Sequence, residues 1–208
     1  STSQDRRSSW LRWLSSALAG TSPAPSEDRS LQASSQPYPK TAIDRISLCD
    51  GNSMPVVGLG TYRMRPGEET YESVRWALEA GYRMIDTAQL YGNEGDVGQA
   101  IRDSGVPRED IFVQSKLANS YHGFKKARAA TQRSLQKAGL DYFDSFVIHS
   151  PFSGKLVETW DALLSLQREG CLRSVGVSNF GIKHLQALRG AGRPMPVVNQ
   201  FELHPLIF

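Results

Sequence analysis

The stretch Gly81-Tyr82-Arg83-Met84-Ile85-Asp86-Thr87-Ala88-Gln89-Leu90-Tyr91-Gly92-Asn93-Glu94 decides the fold. It reads as a short apolar strand, Arg83-Met84-Ile85, that runs into a carboxylate at Asp86, with Tyr91 five residues on in a loop. Four later stretches repeat the arrangement. Ile111-Phe112-Val113-Gln114-Ser115 runs into Lys116, Phe146-Val147-Ile148 into His149, Val175-Gly176-Val177 into Ser178-Asn179, and Val197-Val198 into Asn199-Gln200. Each apolar run finishes on a side chain that titrates or hydrogen-bonds.

Outward from these runs the chain alternates. Strands start near Val56, Arg83, Ile111, Ser145, Ser174 and Val197, at spacings of 23 to 34 residues. Helix-period segments lie between them. In Glu69–Ala80, Tyr71, Val74 and Leu78 share a face; in Phe124–Ala138, Phe124, Ala127, Thr131, Leu135 and Ala138 do. Leu156–Arg168 presents Leu156, Trp160, Leu163, Leu164 and Leu166. Gly81, Gly139 and Gly170 follow the ends of these segments, where a left-handed residue stops a helix. Strand–helix alternation of this period gives parallel strands joined by crossover helices. Ahead of the first strand, Ile46-Ser47-Leu48 and Met54-Pro55-Val56 flank Asp50-Gly51, a hairpin signal.

Two architectures satisfy this alternation, a doubly wound open sheet and a closed barrel. The turn Gly58-Leu59-Gly60-Thr61-Tyr62-Arg63 lacks the final Gly of a dinucleotide fingerprint. Polar strand ends that would be strung along the edge of an open sheet converge on one mouth in a barrel. The barrel is therefore the expected fold.

Composition narrows the class. Hydrophobic residues make up 39% and charged residues 22% of the 208, as in a globular domain with a polar tail. No run of 18 apolar residues exists to form a membrane-spanning helix. Cys49 and Cys171 fit neither a disulfide framework nor a metal ribbon, which makes a reducing compartment, the cytoplasm, the default. Of the net charge of +3, an excess of two sits in residues 1–40, with five Lys/Arg against three acids. The rest is near neutral and carries no nucleic-acid footprint.

Residues 1–40, rich in Ser, Pro, Gln and Arg, read as a tail that is mostly disordered, and residues 41–208 as the barrel. Within the tail, Trp10, Leu14, Ala17 and Leu18 share one helical face in an Arg- and Ser-rich stretch, which fits the remnant of an organelle transit peptide or an amphipathic linker. The first residue is Ser, so the true start is expected upstream.

The strand-end residues have a coherent chemistry. Each alone has an ordinary structural explanation, but titratable groups gathered in one cleft mark a site. A tyrosine, with a reference pKa of about 10, is a weak acid at neutral pH. A nearby ammonium favours its phenolate, so Lys116, held by Asp86, is expected to lower the pKa of Tyr91 and make it a general acid. His149 is placed to donate a hydrogen bond to a carbonyl oxygen. This set suits hydride delivery to a carbonyl, with the hydride coming from a cofactor. Ser178, Asn179 and Gln200 suit a carboxamide such as that of nicotinamide.

The strings Met54–Tyr62, Gly81–Glu94, Ser115-Lys116-Leu117, Ile148-His149-Ser150-Pro151, Gly176-Val177-Ser178-Asn179-Phe180 and Val198-Asn199-Gln200-Phe201-Glu202-Leu203-His204-Pro205, in that order, resemble the aldo-keto reductases. The resemblance spans about Ile46 to Phe208. It implies a (β/α)8 barrel of which the first six strand–helix units are present and the last two missing. It also implies Tyr91 as proton donor, with Asp86, Lys116 and His149 completing a tetrad. Ser178, Asn179 and Gln200 would hold the nicotinamide carboxamide beside Asp86, with Thr61 and Tyr62 near the ribose. NADPH is the implied cofactor, with NADH the alternative, and a small-molecule carbonyl the substrate of a soluble monomer.

Three positions that are often Trp in this family are Tyr62, Ala118 and Ser150 here. With His149 they are the implied substrate contacts. Losing two indoles predicts a wider, more polar pocket that tolerates larger carbonyls. Against about 250 residues in a typical barrel, Thr41–Phe208 supplies 168. The residues that choose between NADPH and NADH would lie in the missing part. Little reductase activity is expected of this piece alone, since its first and sixth strands would be open edges. The alternatives to a reductase are a non-catalytic cofactor-binding, auxiliary or structural barrel of the same family, an inactive truncated piece, and C=C reduction. The last replaces the tetrad His, and His149 is present.

Overall fold

The computed structural model describes residues 44–207; the expectations for the tail, 1–40, lie outside them. The described chain opens on an antiparallel hairpin, β1 (Arg45–Ser47) and β2 (Ser53–Pro55), with Ile46 opposite Met54. Its tip is tied to the body. The Ser174 hydroxyl donates to Asp50 Oδ2 at 2.7 Å, and Asn52 Nδ2 donates to Ser174 Oγ at 3.1 Å.

Six parallel strands follow: β3 (Leu59–Gly60), β4 (Met84–Asp86), β5 (Phe112–Leu117), β6 (Phe143–Ile148), β7 (Leu172–Ser178) and β8 (Asn199–Gln200). They pair in chain order, β3-β4-β5-β6-β7-β8. A doubly wound sheet reverses its order at a switch point; a barrel wall does not. The sheet also curls. Asp86 ends β4 and Gln200 ends β8, four strands apart, which in a flat sheet is about 19 Å. Their side chains instead meet at 3.3 Å. The result is a half-barrel wall of six strands.

Among the described residues, five helices cover its outside: α1 (Glu68–Glu79), α2 (Glu94–Asp103), α3 (Phe124–Ala138), α4 (Leu156–Arg168) and α5 (Ile182–Gly190). Every residue of β5 and β6 is buried, as expected of strands with helices on one face and the barrel interior on the other. Between sheet and helices lies one apolar core that includes Val74, Leu78, Ile85, Val97, Ile101, Ile111, Phe146, Trp160, Leu163 and Leu166. Trp160 is fully buried, and its indole N–H is met by Pro194 O at 3.1 Å.

The expected helices α3 and α4 fall on their residues, and Gly139 ends α3 at φ +61°. Helix α1 begins one residue early. Strands shift more. The ladder of the first is confined to Leu59–Gly60, and that of the sixth to Asn199–Gln200. Even so, the Val197 N–H still reaches Val175 O at 3.2 Å, and Val198 O accepts from Val177 N–H at 2.9 Å. Strand β5 continues through Lys116, which lies within the strand and not just beyond it.

Helix α2 went unassigned in the sequence because Gly95 and Gly98 each lower helix propensity by about 1 kcal/mol relative to Ala. Burial of Val97, Ala100 and Ile101 recovers it. Gly98 also has a packing role: a Cβ there would lie 1.7 Å from Ala138 O, so only glycine lets α2 cross the end of α3.

Candidate active site

The C-terminal ends of the strands assemble the site. Asp86 is the last residue of β4, Lys116 the penultimate residue of β5, and His149 follows β6. Ser178 ends β7, Asn179 follows it, and Gln200 ends β8. Tyr91 comes from a single 3-10 turn, Gln89–Tyr91, closed by Gly92 at φ +74°. These residues and Tyr62 border one cavity of about 490 Å³.

Lys116 is 3% exposed and stands at the centre of the group. Its Nζ donates to Asp86 Oδ2 at 2.6 Å, to Thr87 O at 3.1 Å and to Tyr91 Oη at 3.4 Å. The Tyr91 ring meets the His149 ring edge-on with centroids 5.8 Å apart, and Tyr62 packs on its other side at 5.1 Å. Gln114 and Gln200 complete the surroundings of Asp86: Gln114 Nε2 donates to Asp86 Oδ1 at 2.8 Å, and Gln200 Nε2 donates to Asp86 Oδ2 at 3.3 Å.

The electrostatics correct one expectation. The Tyr91 phenol is pushed up to about 12 and not lowered, by burial first and then by the charge of Asp86 and the neighbouring Tyr62. Lys116 is close enough to favour the phenolate, but Asp86 holds it more tightly and offsets its charge. Burial also lowers the pKa of Lys116, against the opposing pull of Asp86. His149 is lowered by burial and then by Lys116, so its imidazole is neutral near neutral pH. Its Nδ1 is buried without a hydrogen-bond partner among the described residues.

The implied carboxamide group gathers beside them, at the ends of β7 and β8. Asn179 adopts φ +61°, a left-handed conformation that Asn tolerates better than most residues. This turns the chain so that Asn179 N–H donates to Gln200 O at 2.9 Å and Asn179 Nδ2 reaches His149 O at 3.1 Å and Ser178 Oγ at 3.0 Å. Ser178 Oγ accepts there, which leaves its hydrogen available, and Asn179 Oδ1 has no donor among the described residues. Together they offer a donor and an acceptor to a carboxamide, so the residues present fit a nicotinamide.

Three expected contacts do not face the cavity. Thr61 is fully buried, with its hydroxyl directed to Asp86 O at 3.3 Å and Asn93 Oδ1 at 3.2 Å. Ala118 is 2% exposed, its N–H bonded to Gln89 Oε1 at 2.8 Å. The Ser150 hydroxyl turns to Asn119 Oδ1 at 2.8 Å. The lining is supplied instead by Leu90, Phe201 and Glu202, which sequence reasoning missed although each lies within two residues of Tyr91 or Gln200. Asn93, also missed, is fully buried and knots two loops. Its Oδ1 accepts from Thr61 and Thr87 hydroxyls, and its Nδ2 donates to Thr61 O at 3.1 Å. The other histidines are structural: His184 accepts from Gly181 N–H, His204 from Leu206 N–H, and His122 pairs with the Ser153 hydroxyl.

Comparison with known proteins agrees with this geometry. The model of the Aldo/keto reductase family matches residues 56–207. A 9,11-endoperoxide prostaglandin H2 reductase of Trypanosoma cruzi is 50% identical over 161 residues, 77% of this chain and 57% of that protein. A glyoxal reductase of Bacillus subtilis is 43% identical over 167 residues, 80% of this chain and 60% of its own length. The crystal structure of a Bombyx mori aldo-keto reductase in complex with NADP superposes with a TM-score of 0.72 at 39% identity, covering 77% of this chain and 58% of that one. The chain thus spans about three-fifths of the length of these relatives. It belongs to the aldo/keto reductase family.

Proposed function

We propose that the protein reduces aldehydes or ketones to alcohols, with NADPH as the hydride donor. The observation that carries this reading is the convergence of Asp86, Tyr91, Lys116 and His149 on one cavity that Ser178, Asn179 and Gln200 also line. When bound, NADPH supplies the hydride, a species no side chain can provide. Ser178 and Asn179 hold the nicotinamide carboxamide.

His149 orients the carbonyl. A buried, unpartnered N–H is rarer than a buried, unpartnered acceptor, so the proton of the neutral ring sits on Nε2, with Nδ1 as the bare nitrogen. Nε2 then donates a hydrogen bond to the carbonyl oxygen and polarises it. Tyr91 gives its proton to the same oxygen. Its raised pKa keeps the phenol protonated at neutral pH, and an alkoxide is basic enough to take that proton. The phenolate left behind faces the Lys116 ammonium at 3.4 Å, and Asp86 keeps that ammonium in place.

The substrate is a free small molecule. The relatives named for glyoxal and for a prostaglandin endoperoxide bracket the sizes to try first. Purified full-length protein, mixed with NADPH and a panel of aldehydes and ketones, should oxidise the cofactor, read as loss of its absorbance. No oxidation with any carbonyl of the panel would contradict the reading.

A further inference from the structure

We infer that Gln114 is a positioning residue of this site: from inside the barrel it holds the Asp86 carboxylate and the Gln200 carboxamide in register beneath Lys116 and Tyr91. The inference rests on the reductase reading above.

Gln114 precedes Lys116 by two residues on β5, so both side chains point to the same face, the barrel interior. It is 1% exposed. Its Nε2 donates both to Asp86 Oδ1 at 2.8 Å and to Gln200 Oε1 at 3.1 Å, while Gln200 Nε2 returns to Asp86 Oδ2 at 3.3 Å. A carboxylate only accepts, so the amide nitrogen of Gln114 must be the atom that faces Asp86. The oxygen then faces away, and it is buried with no partner among the described residues. A buried acceptor left without a donor costs stability. An apolar side chain of similar length would avoid that cost. Packing alone therefore gives no reason for an amide at this position, whereas the three-way contact does.

The contact has two consequences for Asp86. Lys116 and Gln200 both bind Oδ2, and Gln114 adds the donor to Oδ1, so each carboxylate oxygen is held and the plane of the group is fixed from both sides. The same donor draws negative charge at Asp86 towards the interior and away from Tyr91. Gln114 thus acts on the proton donor through Asp86, and on the carboxamide wall through Gln200.

The test compares the full-length protein with Gln114→Met, which keeps the length but removes the donor, and with Gln114→Glu. Protonated, the introduced carboxyl donates its O–H to Asp86; ionised, it places a second negative charge against it. For Gln114→Met, kcat with NADPH and a small aldehyde should fall roughly tenfold or more at every pH, the scale of losing a hydrogen bond to a charged group. The aldehyde KM should change little. Gln114→Glu should work near the wild-type rate at the acidic end and lose activity as pH rises, through an ionisation the wild type lacks. In Gln114→Met, the phenolate absorbance of Tyr91, taken as a difference against Tyr91→Phe in the same background, should appear at higher pH than in wild type.

Wild-type kcat and wild-type Tyr91 titration in Gln114→Met would overturn the inference, as would a Gln114→Glu pH profile that tracks wild type. Lowered thermal stability in both variants without separate pH profiles would reduce Gln114 to a packing residue. If wild type itself turns over no carbonyl, the reductase reading fails, and the Tyr91 titration still decides the role of Gln114.

Discussion

The Lys116 ammonium stands 3.4 Å from the Tyr91 phenol oxygen while Asp86 Oδ2 holds it at 2.6 Å. The cation nearest the Tyr91 phenol is therefore already matched by an anion. Tyr91 is pushed up to about 12, by burial first and then by the Asp86 charge, with no net cation to offset them. Without bound cofactor, the Tyr91 phenolate, isolated as an absorbance difference against Tyr91→Phe, should appear well above pH 10. Asp86→Asn should bring it to lower pH, because it removes an anion that opposes the phenolate. Since the folded-state pKa lies above the unfolded one, the stability Tyr91 contributes is complete below about pH 10. It is lost as pH rises through about 12. Ionisation of Tyr91 at or below pH 10 would contradict this electrostatic account.

His149 carries the opposite sign. Its pKa is lowered by burial and then by Lys116, so folding favours the neutral ring. That contribution is present above the unfolded value of about 6.5 and is lost as pH falls through the folded value. The His149 ring resonances should titrate below pH 6.5, and Lys116→Met should move the midpoint upward. A midpoint above 6.5 in the wild type would be inconsistent with a neutral hydrogen-bond donor.

Asn93 joins the loop after β3 to the loop after β4, the two segments that present Tyr62 and Tyr91. Asn93→Ala leaves the Thr87 hydroxyl without its acceptor and takes one of two partners from both the Thr61 hydroxyl, which keeps Asp86 O, and the Thr61 carbonyl, which keeps Met64 N–H. It should cost about 1–3 kcal/mol. In urea the midpoint should fall with the slope unchanged. A midpoint equal to wild type would mean that water or neighbouring groups replace the amide fully.

The two glycines of α2 should respond differently to the same change. A Cβ at Gly98 would lie 1.7 Å from Ala138 O, whereas at Gly95 it would meet Lys137 O at an ordinary 3.5 Å. Gly98→Ala should destabilise by about 1–3 kcal/mol through overpacking. Gly95→Ala should be neutral or stabilise by up to about 1 kcal/mol through helix propensity. Thermal melts of both variants check the contrast, and equal effects would contradict the close crossing of α2 and α3.

The alternation of strands and helices, and the polar residues at the strand ends, were legible because both rest on local pattern. Apolar runs that stop at Asp86, Lys116 and His149, 30 and 33 residues apart, mark these positions without any tertiary information. Helix α2 was not legible, because its glycines answer to a crossing with a segment about forty residues away. That Ala118 and Ser150 do not line the cavity was hidden for a similar reason. Their bonds run to Gln89 and Asn119, and only packing decides whether a small side chain faces the cavity or the wall. The pKa of Tyr91 depended first on its burial and then on the nearby charge of Asp86, neither of which spacing encodes. Gln114 looked like an ordinary strand residue until the sheet curled and brought β8 to meet it.

The most direct test of the central claim is NADPH oxidation by the full-length protein and by Tyr91→Phe, with the aldehyde that the wild type reduces fastest. The substitution keeps the aromatic ring in contact with Tyr62 and His149 and removes the phenolic hydroxyl. The expected result is that kcat falls by a factor of 10² or more, the scale of losing a general acid, while NADPH still binds with its wild-type affinity. Turnover unchanged in Tyr91→Phe would contradict the assignment of Tyr91 as the proton donor.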